Sequence, residues 1–166
     1  MSSAAKIRMP DDFHAQTPDA NVLATEAAMN TIRTADMLFD QIGRLLRPLN
    51  VSAAGGLVLG MLRDRGRLSP SDLGEGLIVT RATVTGLVDS LERHGYVRRL
   101  ANPADRRSVL VEMTPAGLAV VQELRTIVHR NEKAWFAGFS DAELDGYIAQ
   151  LHRIQDSLAS IADASG

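Results

Sequence analysis

The run from Ser69 to Thr114, SPSDLGEGLIVTRATVTGLVDSLERHGYVRRLANPADRRSVLVEMT, leaves few ways for this chain to fold. Ser69-Pro70-Ser71-Asp72 opens a short helix: a hydroxyl cap, proline at the first helical position and an acid in the first turn. Leu73 and Leu77 give that helix an inward face, and Leu77 to Val79 makes a turn. Thr80 caps a second helix, and Gly95 stands where its C-terminal left-handed residue is wanted. Tyr96 to Leu100 and Ser108 to Met113 are rich in β-branched residues and read as strands. The seven residues between them hold Asn102, Pro103 and Asp105, which favour a turn, followed by Arg106 and Arg107. Helix, turn, helix and a hairpin with a basic tip, in this order, make a winged helix-turn-helix.

The flanks read as helices. Thr17-Pro18-Asp19 carries the signals of a helix start, and Pro48 stops that helix. Apolar residues from Leu23 to Leu49 recur at spacings of three and four for much of this span. About 30 residues at 1.5 Å each make a helix of roughly 45 Å, longer than a small domain is wide. Such a helix, apolar towards both ends, calls for packing from a second subunit. Val51 to Arg65 follows as a helix capped by Ser52, with Leu57, Val58, Met61 and Leu62 inward and Gly66 at its end. Gly55 and Gly56 near its start imply the close approach of another backbone. Thr114-Pro115 opens a helix to about Ala137, and the capping box from Ser140 to Glu143 opens another that ends near Ile161. The expected fold is mainly α: six helices with a two- to three-stranded β-wing, and dimerisation helices from both termini. Residues 1–16 are expected to be a mobile arm, 17–50 with 114–162 a helical dimerisation region, and 51–113 a winged helix-turn-helix.

Charge supports a partner that carries phosphate, although the chain as a whole is at −2. Arg63 to Arg107 holds nine Arg against six acids, a balance of +3, and the rest of the chain is at −5. One module can thus meet a polyanion while the remainder stays soluble. On a helical wheel, Val84, Leu87, Val88 and Leu91 form the core face of the helix after Thr80, with Ala82, Gly86, Asp89 and Arg93 opposite. The start of such a helix enters the major groove. Ala82 and Gly86, both small, let its axis come close to the bases. The hydroxyls of Thr83 and Thr85 can bond bases or phosphates, and Arg81 is placed for phosphate or guanine. Asp89 can pair with Arg93 at i+4. Arg106 and Arg107 at the hairpin tip suit the narrow minor groove. Asp105 caps the turn or pairs with a neighbouring Arg. Of Arg98 and Arg99, which alternate across their strand, at most one faces DNA. The candidate DNA-binding set is Ser69, Thr80, Arg81, Ala82, Thr83, Thr85, Gly86, Arg93, Asp105, Arg106 and Arg107.

Other chemistry is poorly supported. No cysteine is present, which removes disulfides and thiolate chemistry. No Ser-His-Asp order, phosphate loop or metal-ligand set appears, and His129 with Glu132 makes only a weak i, i+3 pair. The chain is expected to be no enzyme and to need no cofactor or metal. No apolar run of membrane-spanning length and no signal-peptide pattern are present, so the expected location is the cytoplasm. The competing expectation is a module of the same fold that binds protein in place of DNA.

The run TRATVTGLVDSLERHGYVRR followed by NPADRRSVLVEMTPAG resembles the multiple antibiotic resistance regulator (MarR) family of bacterial transcription factors. The resemblance covers about Leu68 to Gly117. It implies a homodimer whose first and last two helices interleave, carrying two winged domains that read the half-sites of a pseudo-palindrome. It makes Thr80 to Arg93 the recognition helix and Asp105 with Arg107 the paired wing residues. It also implies a repressor relieved by a small, often aromatic and anionic effector, bound between the dimerisation region and the winged domain. Met37, Gln41, Leu57 and Met61 are candidate pocket residues. Gly86 stands where many members carry Arg, and Ile78 where related helix-turn-helix proteins often have Gly. With the small residues Ala82 and Gly86 standing where long ones might be expected, the wing and backbone contacts are expected to supply more of the DNA affinity than in a typical relative.

Overall fold

In the computed structural model, residues 6–77, 79–103 and 108–165 are described. The elements run α1 (Phe13–Gln16), α2 (Val22–Leu46), a 3-10 turn (Arg47–Leu49), α3 (Ala53–Arg65), α4 (Pro70–Leu77), α5 (Arg81–Arg93), β1 (Val97–Ala101), β2 (Val109–Met113), α6 (Pro115–Trp135) and α7 (Asp141–Ser165). The six expected helices are α2 to α7, and α1 is a single extra turn. No single helix among the described residues is long and apolar enough to cross a membrane. The chain divides into two compact units, residues 1–128 and 129–166.

Local capping sets most helix starts in the first unit. The Ser52 hydroxyl accepts from Gly55 N at 3.0 Å to open α3. Ser69 and Asp72 cap α4 reciprocally: Asp72 N donates to Ser69 Oγ at 3.2 Å, and Ser69 N donates to Asp72 Oδ2 at 2.9 Å. Ser69, by its hydroxyl and then its amide, holds the Asp72 carboxyl below the usual carboxylate range. Thr80 accepts from Thr83 N at 3.2 Å for α5, and Thr114 from Gly117 N at 3.1 Å for α6.

The start of α2 differs from expectation. The amide and hydroxyl of Thr17 both donate back to the Phe13 carbonyl, at 3.0 and 2.9 Å, and so close α1. A turn follows, with Ala20 N on the Thr17 carbonyl, and Asn21 caps α2 through its Oδ1 on Ala24 N at 3.1 Å. The segment before α1, expected to be a mobile arm, is tied to α2. Asn30 accepts from Ile7 N at 3.1 Å and donates to Ile7 O at 2.9 Å, while Glu26 takes Met9 N and the Arg8 guanidinium, each at 2.8 Å. That strap covers Glu26, which is buried on a helix whose neighbouring faces are exposed.

The core gathers around α3. Val58 and Leu59 are fully buried there, against Leu46 from α2, Leu73 from α4, Val84 and Val88 from α5, and Val121 from α6. Gly55 and Gly56 let these partners close in, and what approaches is side chain where backbone was expected. A Cβ on Gly56 would stand 3.1 Å from Leu124 Cδ1 and 3.2 Å from Leu46 Cδ1, and one on Gly55 would stand 3.6 Å from Leu91 Cδ2. Leu57, expected inward, is 49% exposed because the α3 face it occupies lies away from these contacts.

β1 and β2 pair antiparallel with Arg98 opposite Glu112 and Arg99 opposite Val111. Leu68, in the loop before α4, bridges to Val111 and adds the rudiment of a third strand. Val97 and Val111 face the core. At the other end of the hairpin, the Tyr96 hydroxyl donates to the Leu49 carbonyl at 2.9 Å, tying β1 to the turn after α2. The first turn of α6 rests directly on the Tyr96 carbonyl, where a Cβ on Gly117 would stand 2.0 Å from that oxygen.

In the second unit, Ser140 and Glu143 form the capping box of α7, with Ser140 N donating to Glu143 Oε2 at 2.8 Å. Phe136 and Phe139 meet edge to face at 6.0 Å in the turn before it. α7 continues to Ser165, past the expected end near Ile161, and none of its described residues is buried.

Two outcomes follow from this packing. Gly117→Ala forces backbone apart and is expected to lower unfolding stability by about 1–3 kcal/mol in a urea titration, as overpacking does. Asp72 has a depressed folded pKa, so the stability it adds is present above the unfolded carboxylate value of about 3.9 and is lost as pH falls from there through the lower folded value. The stability gap between wild type and Asp72→Asn at pH 7 is therefore expected to narrow below about pH 4; a gap that is flat with pH would remove the charge from the cap.

Candidate nucleic-acid interface

α5 presents two faces with opposite chemistry. Val84, Val88 and Leu91 are buried, with Leu87 half-buried beside them, as the wheel predicts. Arg81, Ala82, Thr83, Thr85 and Gly86 are exposed together over the first two turns. Among the described residues, no heavy atom beyond the helix's own backbone and the two neighbouring residues lies within 4 Å of a Cβ built on Gly86, so this face is open. Arg93 is exposed too, but at the far end of the helix, about 18 Å along the axis from Arg81.

The threonine hydroxyls are partly committed. Thr85 Oγ1 donates to the Arg81 carbonyl at 3.0 Å, so towards a base it can only accept. Its natural partners are the amino groups of adenine and cytosine. Thr80 and Thr83 share one hydrogen between hydroxyls 2.9 Å apart, which leaves one of the two free to donate.

Beside this face lies a cleft of about 350 Å3 lined by the start of α4, Arg81 and the base of the hairpin. Ser69 and Asp72 stand on one wall, Asn102, Ser108 and Leu110 on another. Asn102 Nδ2 donates to Ser108 Oγ at 2.7 Å, and Asn102 N to the Ser108 carbonyl at 3.3 Å, closing the hairpin at its neck. From sequence Asn102 is a turn former, and Ser108 carries no signal; only the folded hairpin places both next to Ser69 and Arg81. Asp105, Arg106 and Arg107 of the wing tip, and Ile78 of the turn, lie outside the described residues.

The arginines are sorted by their partners. Arg63 pairs with Asp64 at 2.7 Å, and Arg67 and Arg98 flank Glu112 at 2.6 and 2.5 Å. Arg99 bridges Asp89, at 2.6 Å, and Glu92. Asp89 is thus held by Arg99 and not by Arg93 as expected, because β1 delivers a guanidinium to α5 from a segment ten residues away. Alternation along β1 left room for one of Arg98 and Arg99 to face DNA, but both are committed to carboxylates. Arg65, Arg81 and Arg93 stand in no ion pair among the described residues.

The four candidate pocket residues do not come together. Leu57 and Met61 line a groove of about 410 Å3 between α3 and α4, with Gly60, Gly76 and Leu77. Met61 lies across Gly76, where a Cβ would meet its Cε at 2.3 Å. Met37 and Gln41 are exposed on α2 and do not line it. Among the described residues no three His, Cys, Asp or Glu stand together as a metal site would require.

Comparison with known proteins agrees with this architecture. A family model described as the MarR family matches residues 51–109, which run from the residue before the α3 cap to the first residue of β2. The transcriptional regulator PecS of Dickeya dadantii is 28% identical over 149 residues, covering 87% of this chain and 89% of PecS. A mutant of MarR from E. coli, solved in complex with operator DNA, superposes with a TM-score of 0.68 at 26% identity, covering 87% of this chain and 99% of that one. BpsR of Bordetella bronchiseptica, solved to explain regulation of its DNA binding by 6-hydroxynicotinic acid, has a TM-score of 0.64 at 26% identity, covering 75% of this chain and 98% of BpsR. The matched segment holds α3, α4 and α5, and together these likenesses support a winged-helix transcription regulator of the MarR family.

Proposed function

We propose that this chain is a repressor that binds double-stranded DNA as a homodimer. In this reading residues 51–113 form the DNA-binding domain, and 17–50 with 114–162 the dimerisation region. The observation that carries it is the open face of α5. Ala82 and Gly86 are exposed and small, and Arg81 at the same end has no ion pair among the described residues. A duplex can approach this helix closely, with Ala82 against a thymine methyl and Arg81 on phosphate or guanine. Arg106 and Arg107, which lie outside the described residues, are the candidates from the sequence for a second contact.

Apolar exposure supports the dimer. Leu23 is 74% and Ile32 58% exposed on α2, and Leu158 and Ile161 are each 62% exposed on α7. Each helix carries several such residues, and a second copy of the chain is the partner that would cover them. Two recognition helices about 34 Å apart would then read the half-sites of a pseudo-palindrome. An effector that prefers another spacing would shift the population away from the DNA-competent form. The relative BpsR responds to an aromatic, anionic ligand, which supports the same class here. The Leu57–Met61 groove is its candidate seat.

The test is a titration of the protein with the DNA upstream of its own gene at several salt concentrations. A linear fall of log K with log salt is expected, and Arg81→Ala should lower the slope by about 0.9 for each phosphate that it no longer neutralises. A salt-independent or absent interaction rejects DNA binding in favour of a protein partner. Arg107→Ala is expected to weaken operator binding markedly while sedimentation still shows a dimer. Thr83→Ala and Thr85→Ala should relax sequence preference more than they lower non-specific affinity, measured by competition with mutated half-sites.

A further inference from the structure

Arg67, Glu112 and Arg98 form one row across the wing. Leu68 bridges to Val111, which brings Arg67 beside Glu112, and the hairpin register sets Arg98 opposite Glu112 on the other side. Both guanidiniums reach the one carboxylate, at 2.6 and 2.5 Å. Arg67 and Arg98 are themselves 57% and 62% exposed, whereas Glu112 is only 18% exposed beneath them. The row lies on the sheet face opposite Val97 and Val111, so it contributes nothing to the core. It stands next to the cleft of Ser69, Arg81 and Leu110, where Leu110 shares its face of β2. Two cations thus sit at the edge of the DNA-reading face, both engaged by the same carboxylate, which leaves the row at a net +1. Arg98, first, and Arg67 hold the Glu112 carboxyl below the usual carboxylate range, so the carboxylate is charged at neutral pH.

We propose that Glu112 is a specificity-determining residue: it masks Arg67 and Arg98 from phosphate, so that affinity depends on Arg81 and the recognition face and not on general attraction to any duplex. This rests on the DNA-binding function proposed above. The physical ground is competition for one guanidinium. A phosphate must displace a carboxylate that is covalently part of the same sheet, held by two charge-assisted bonds, and therefore present at high effective concentration. Phosphate contacts carry no sequence information, so cations withheld from phosphate raise the ratio of specific to non-specific binding.

The experiment compares wild type, Glu112→Gln, the triple variant Arg67→Gln/Arg98→Gln/Glu112→Gln, and Glu123→Gln, which makes the same charge change on an exposed α6 residue. Each is titrated with operator and with a scrambled duplex of equal length across a salt series. Circular dichroism and thermal melts establish that each is folded. For Glu112→Gln we expect scrambled-duplex affinity to rise about tenfold at low salt. The slope of log K against log salt should steepen by about 0.9 to 1.8, for one or two newly neutralised phosphates. The operator-to-scrambled ratio should fall. The triple variant should return the slope to the wild-type value or below, and Glu123→Gln should leave it unchanged. An unchanged slope in folded Glu112→Gln overturns the proposal, because the two arginines are then either already on phosphate or out of its reach. A rise that persists in the triple variant overturns it too, since the effect would come from a loosened hairpin. Elution from immobilised heparin separates this failure from a failure of DNA binding itself. If wild type shows no operator preference, Glu112→Gln must still elute at higher salt than both wild type and the triple variant, or the masking is absent.

Discussion

The first turn of α6 has no clearance from the carbonyl of Tyr96, and much of the geometry in residues 1–128 depends on that close approach. A glycine at 117 is the only residue that fits. Around it, the Thr114 hydroxyl caps α6 and also donates to the Gly95 carbonyl at 2.7 Å. The Tyr96 hydroxyl reaches the carbonyl of Leu49. One short stretch, Gly95 to Val97, therefore joins the end of α5, the start of the hairpin, the turn after α2 and the start of α6. The Tyr96 and Thr114 hydroxyls and the steric stop at Gly117 thus tie α2 and α6 to the C-terminal end of α5.

What can be read from the sequence follows this division between local and tertiary causes. The caps at Ser52, Ser69, Thr80, Thr114 and Ser140 are legible because a cap is a relation among residues three apart. Thr17 carries the same signals and misleads: its hydroxyl finds a carbonyl behind it, in a turn whose formation no i, i+3 rule anticipates. The buried face of α5 follows from periodicity alone. The partner of Asp89 does not, since the i+4 rule offers Arg93 while the fold supplies Arg99 across a strand. The same holds for Glu112, whose two arginines come from either side in the sheet and from 45 and 14 residues away in sequence. The strap on α2 is hidden for a related reason. Glu26 and Asn30 read as ordinary polar helix residues until the backbone of Ile7 and Met9 is laid against them.

Ion pairs in this wing do more to aim than to stabilise. Exposed pairs contribute little free energy, a median of roughly 0–1 kcal/mol. They nonetheless decide which arginines are free to leave the surface. Arg99, paired with Asp89 and Glu92, fixes β1 against α5 on one face of the sheet. The Glu112 row fixes the loop before α4 on the other. A net charge of −2 is compatible with a reader of polyanions when its positive charge is allotted in this manner.

The emptiness around Gly86 has a consequence for the history of such a protein. A glycine inside a helix costs about 1 kcal/mol relative to alanine, and nothing among the described residues asks for one here. Almost any side chain could be installed at this position with the helix made firmer. A change of side chain on this open face is thus uncoupled from foldability. Duplicated copies of this gene could drift to new operators through this residue, each intermediate at least as sturdy as its parent.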